Sequence, residues 1–84
     1  MENKKFLKKK VIYRSAHRGS KEMDIFLGDF VKKYINKFNY DDLVKLSHIL
    51  DIEDEVLYKW YFDKKDSNLV PNNNISALLR NQKL

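Results

Sequence analysis

Ser20-Lys21-Glu22-Met23-Asp24-Ile25-Phe26-Leu27-Gly28-Asp29-Phe30-Val31-Lys32-Lys33-Tyr34-Ile35-Asn36-Lys37-Phe38 is the stretch that decides the fold class. Met23, Phe26, Leu27, Phe30, Val31, Tyr34, Ile35 and Phe38 recur at intervals of three and four, the spacing that gathers side chains on one face of an α-helix. Ser20 is placed to cap that helix, and Glu22 and Asp24 fall in its first turn, where carboxylates favour the helix dipole. No other segment carries so strong an amphipathic signal.

The segments on either side read the same way. Upstream, a helix is predicted from about Asn3 to Arg18, with Phe6, Lys10, Tyr13 and His17 along one stripe and Leu7, Val11, Arg14 and Arg18 along the next. Gly19 suits a left-handed C-cap for it. Downstream, Asn39 can cap a third helix, with Asp42 in a capping-box position and Leu43, Leu46, Ile49 and Leu50 turned inward. Asp51 can cap a fourth, with Asp54 in its first turn and Val56, Leu57, Trp60 and Tyr61 inward. Lys64 to Asn68 reads as a loop, and Pro71 suits the start of a fifth helix bearing Ile75, Leu78 and Leu79. Such short connections predict neighbouring helices packed roughly antiparallel. The expectation is an all-α fold: residues 1–84 as one small bundle of about five short helices.

Composition narrows the function. With no cysteine among 84 residues, neither a disulfide framework nor a thiolate metal site is available, and a chain this short must hold itself together by packing a thin core. His17 and His48 stand far apart with no further ligands beside them, so no metal site is expected. No apolar run is long enough to span a membrane, and the lysine-rich start lacks the apolar stretch of a secretory signal. Residues 1–21 hold eight Lys or Arg against a single acid, whereas residues 22–84 hold nine against eleven. Lysine outnumbers arginine fourteen to three, so surface lysine says little and each arginine says more.

Two of those three arginines lie in Tyr13-Arg14-Ser15-Ala16-His17-Arg18-Gly19-Ser20-Lys21-Glu22-Met23-Asp24, the one stretch that packing does not explain. A guanidinium is a planar fork that grips a carboxylate or phosphate with two bonds. Four residues apart, Arg14 and Arg18 would project from one face of the first helix. Gly19 leaves a bend without a side chain, open to close approach, and Glu22 could pair with Arg18 or meet a basic group on a partner. On residue types alone Glu22 and Asp24 are first-turn carboxylates, worth roughly 0.3–1 kcal/mol each.

Arg18-Gly19-Ser20-Lys21-Glu22-Met23-Asp24 resembles the Arg-Gly-x-x-Glu-(apolar)-Asp signature of the succinate dehydrogenase flavinylation assembly factors. Leu50 to Trp60 resembles that family's Leu-x(n)-Asp-x-x-Leu-x-x-Trp stretch, and length and helix order agree, so the resemblance covers nearly the whole chain. One departure is His17, where the family commonly has a second arginine. The resemblance implies a non-catalytic factor that binds the flavoprotein subunit of succinate dehydrogenase, or of fumarate reductase, before that subunit joins its iron–sulfur partner. The factor would bind no cofactor itself and would act on the FAD the subunit carries, promoting a bond between a subunit histidine and the flavin's 8α carbon. It implies a partner-binding set of Arg14, His17, Arg18, Gly19, Ser20, Glu22 and Asp24, with Arg18, Gly19 and Glu22 nearest the flavin. The free chain is expected to be a monomer, in the bacterial cytoplasm or the mitochondrial matrix, away from the membrane. The alternative is a basic helical module whose lysine-rich first helix binds nucleic acid, which the mildly acidic body disfavours. A stand-alone enzyme ranks last, since no convergent catalytic set stands out.

Overall fold

A computed structural model describes residues 3–83. It contains helices α1 (Lys4–Ala16), α2 (Lys21–Tyr34), α3 (Tyr40–Leu50), α4 (Asp54–Tyr61) and α5 (Asn74–Arg80), with a 3₁₀ turn (Ile35–Lys37) closing α2. The all-α expectation holds: among the described residues there is no strand. No helix is long and apolar enough to cross a membrane.

The α2 stretch forms the floor of the core. Met23, Phe26, Leu27, Phe30, Val31, Ile35 and Phe38 are all buried, and Tyr34 is half-buried beside them. Leu43, Leu46, Ile49 and Leu50 come in from α3, Leu57, Trp60 and Tyr61 from α4, and Ile75 and Leu79 from α5. Val56, expected inward, is only half-buried. His48, on α3, is exposed. The paired residues between α1 and α2 run in opposite order. Lys8 meets Asn36, Ser15 lies against Gly28, and Arg18 meets Asp24, so the two helices are antiparallel.

Three boundaries differ from expectation, each because another residue supplies the cap. α1 stops at Ala16, two residues early, and Gly19 is not left-handed. His17 Nδ1 bonds the Tyr13 carbonyl at 2.8 Å, and the Arg18 amide donates to Asp24 Oδ1 at 2.8 Å. The His17 bond satisfies one carbonyl at the end of α1, and the Arg18 bond ties the bend that follows to α2. Asp51 caps the C-terminus of α3, its amide bonded to the His48 and Ile49 carbonyls, and α4 starts three residues later. Pro71 lies in the loop before α5. Asn73 caps that helix, accepting from the Ile75 and Ser76 amides while Ser76 Oγ accepts from the Asn73 amide. Proline offers no such acceptor. The Ser20 cap of α2 and the Asn39–Asp42 capping box of α3 are as expected.

Gly28 sits buried in the middle of α2, where glycine weakens a helix relative to alanine by about 1 kcal/mol. A Cβ placed there would meet nothing closer than the Ser15 carbonyl oxygen at 3.9 Å, an ordinary contact. Gly28→Ala is therefore expected to raise the melting temperature by about 4–8 °C, measured by circular dichroism. A fall would mean that α1 and α2 cannot accommodate a methyl group.

Candidate functional site

The bend between α1 and α2 meets the bend between α3 and α4, and Arg18 ties them together. Because α1 ends at Ala16, Arg18 lies beyond the helix and does not share a face with Arg14. Its guanidinium turns inward, with only 10% of the side chain exposed. Nε donates to Asp54 Oδ1 at 2.8 Å, Nη1 to the Leu50 carbonyl at 2.7 Å and Nη2 to the Ile52 carbonyl at 3.0 Å. Nη2 also stands 2.6 Å from Asp54 Oδ1. Two of these acceptors belong to the end of α3 and the turn after it, which have lost their helical donors, so one side chain satisfies the junction.

Asp54 completes the arrangement from the first turn of α4. Its second oxygen, Oδ2, accepts the Gly19 amide at 3.0 Å. A Cβ at Gly19 would stand 3.5 Å from that oxygen, which is ordinary contact, so a side chain there would project from the corner without displacing it. Asp24 fixes the other end of the bend by accepting the Arg18 amide, and Ser20 Oγ accepts the Met23 amide. Arg14 is held by Asp51. His17 stacks on the Tyr13 ring with centroids 4.0 Å apart. A carbonyl can only accept, so the contact with Tyr13 puts the proton of neutral His17 on Nδ1 and leaves Nε2 as acceptor.

All seven residues expected at the site therefore gather at one corner, but they divide the work differently. Arg18 pairs with Asp54, not with Glu22. With Arg14 and Arg18 engaged by carboxylates, the charged side chains standing exposed around the bend are Lys21, Glu22, Glu53 and Glu55. Glu55 pairs with Lys59 at 3.1 Å, and Glu22 has no hydrogen bond or ion pair among the described residues. Glu22 lines a shallow depression with Ser20, Met23, Asp54, Glu55 and Tyr58. Of the guanidinium and carboxylate expected at the corner, the guanidinium of Arg18 is turned inward and the carboxylate of Glu22 stands exposed beside Lys21.

Sequence reasoning missed Asp54 and Asp51 as partners of the arginines. The signal for Asp54 was present, since it is the aspartate of the Asp-x-x-Leu-x-x-Trp stretch, but nothing in a linear pattern ties it to Arg18. Among the described residues no group of His, Asp and Glu is arranged to hold a metal ion.

Comparison with known proteins identifies the family. The family described as flavinator of succinate dehydrogenase matches residues 9–83. The mitochondrial succinate dehydrogenase assembly factor 2 of Arabidopsis thaliana is 33% identical over 64 residues, which is 76% of this chain and 34% of that protein. Its namesake in Scheffersomyces stipitis is 36% identical over 62 residues, 74% of this chain and 42% of that one. The FAD assembly factor SdhE of Acetobacter pasteurianus is 30% identical over 57 residues, 68% of this chain and 52% of that one. The chain thus spans between about a third and a half of the length of these relatives. No solved structure matches it significantly. Nothing in these matches supports the nucleic-acid alternative.

Removing the guanidinium would leave two carbonyls and a carboxylate without their donor. Arg18→Ala and Asp54→Ala are each expected to cost about 2–3 kcal/mol in urea unfolding. In a double-mutant cycle the pair should couple by at least about 1 kcal/mol, and additive effects would show the latch to be inert.

Proposed function

The chain belongs to the flavinators of succinate dehydrogenase, and from that premise we propose that it is an assembly factor that docks on a flavoprotein subunit and promotes covalent attachment of that subunit's FAD. The observation that carries this reading is Glu22. It is an exposed carboxylate with no partner among the described residues, at the edge of a corner that Arg18 and Asp54 hold rigid. A carboxylate left unspent by the fold, on a backbone held by a helix, is suited to recognition of a basic group.

In this reading the corner carries two kinds of residue. Glu22 and the side-chain-free backbone at Gly19 touch the subunit, with His17 and Ser20 beside them. Arg18, Asp24 and Arg14 hold the contact surface in shape from behind. The bond-making belongs to the flavin and a histidine of the subunit. The factor binds no FAD and turns over no substrate of its own, and contributes by holding the subunit in a reactive arrangement. The client is the succinate dehydrogenase subunit, or its fumarate reductase counterpart, met where that subunit is assembled, in the bacterial cytoplasm or the mitochondrial matrix.

Co-expression with the flavoprotein subunit tests this, with covalent flavin read as fluorescence of the denatured subunit. Glu22→Ala and Gly19→Arg are expected to abolish most of the flavin signal while changing stability by less than about 0.5 kcal/mol, as exposed positions do. Full flavinylation with both variants would remove the corner from the mechanism.

A further inference from the structure

We propose that the groove between α1 and α2 is a second part of the same docking surface, and that it receives an aliphatic side chain of the flavoprotein subunit flanked by a carboxylate. The proposal rests on the docking role argued above and specifies the chemistry of the partner.

Leu7 and Val11 of α1 are buried in the core, yet Phe6, Ile12 and Tyr13 are exposed among its lysines, at 58%, 43% and 64%. Ile25 stands exposed on α2, one turn before Gly28 on the same face. These are four of the seven large apolar side chains that stand exposed among the described residues, and all four are on the α1–α2 pair. Of these four, Ile12 lines the groove between the two helices.

Between the helices lies a groove of about 240 Å³ lined by Ile12, Ser15, Ala16, Gly28, Val31 and Lys32 and closed by Ile35. That exceeds the roughly 150 Å³ cavity that accepts a benzene ring. Its floor is Gly28. The fold does not require glycine there, since the nearest neighbour to a Cβ is 3.9 Å away, and glycine in a helix interior weakens the helix. What the missing side chain provides is depth.

Charge and continuity say what enters. Lys32 lines one end, and Lys8 is held near it by its bond to Asn36, the residue after Ile35. A cationic rim around an apolar slot suits an aliphatic side chain with an acid beside it. At its other end the groove reaches Ala16, directly before His17 and Arg18. A single partner seated on the Glu22 corner would therefore reach the groove without a break. The lysines of the groove and the carboxylates of the corner give this strip opposite charge at its two ends, which fixes the direction in which a partner can lie.

Titration of the full-length protein with the purified flavoprotein subunit, followed by calorimetry, tests the groove. Gly28→Leu fills the slot and Lys32→Glu reverses its rim. Each is expected to weaken binding roughly tenfold or more, the scale of a central interface contact, while Leu69→Ser, at an exposed leucine in the loop before α5, leaves it unchanged. Gly28→Ala should stabilise the free protein and still bind less well, a split that a purely structural glycine would not produce. If Gly28→Leu fails to fold, Lys32→Glu on an exposed residue decides the matter. Groove variants that bind like wild type while Glu22→Ala does not would overturn the groove and leave the corner standing. A wild-type protein that fails to bind the subunit would overturn both. Sedimentation showing a dimer that Gly28→Leu dissociates would assign the groove to a second copy of this chain and overturn the proposal.

Discussion

One guanidinium holds two bends of this small bundle against each other. Arg18 reaches Asp54, the Leu50 carbonyl and the Ile52 carbonyl from a position just past the end of α1. Lysine could not replace it. An ammonium is a single point of charge, whereas the guanidinium fork sends donors in three directions at fixed angles. Placing a cation where a tenth of its side chain meets water costs desolvation, and the return here comes from acceptors that the ends of α3 and α4 would otherwise leave poorly satisfied. A domain of this size has roughly 5–10 kcal/mol of stability in total, so a contact worth a few kcal/mol decides whether the corner keeps its shape.

Asp54 turns that structural contact into a functional geometry. One oxygen serves Arg18 and the other takes the Gly19 amide, so the carboxylate fixes both the side chain and the backbone of the signature segment. Neutralising Arg18 and Arg14 with Asp54 and Asp51 also changes the sign of what the corner offers. Both guanidiniums near the bend are engaged by the protein's own carboxylates, and Lys21 and Glu22 remain exposed. The Arg-Gly-x-x-Glu segment is thus a largely buried anchor and an exposed carboxylate joined by a bend.

The architecture was legible because burial on α2 and α3 follows helical periodicity without interruption, and because Ser20 and Asn39 cap as their side chains allow. Capping that depends on a distant or ambiguous partner was not legible. Asp51 looked like an N-cap because its neighbours are acidic, yet α3 runs up to it and Arg14 draws its carboxylate away. Three consecutive asparagines hid Asn73 as the cap of α5. The site was found as a segment but not as a geometry. Arg18 and Asp54 are 36 positions apart, and no local pattern tells whether a guanidinium faces solvent or folds back.

Several residues that folding leaves unexplained belong to the first two helices. Glu22 has no partner among the described residues, Gly28 weakens the helix it sits in, and Phe6, Ile12, Tyr13 and Ile25 keep apolar surface in water. Each runs against the local interest of a protein with a thin core, and all belong to α1, α2 or the start of α2 at the bend that joins them. Opposite the core, this pair of helices has no covering layer among the described residues. Such a surface makes physical sense when its second layer is supplied by another molecule, held in register by the same corner that Arg18 and Asp54 keep rigid.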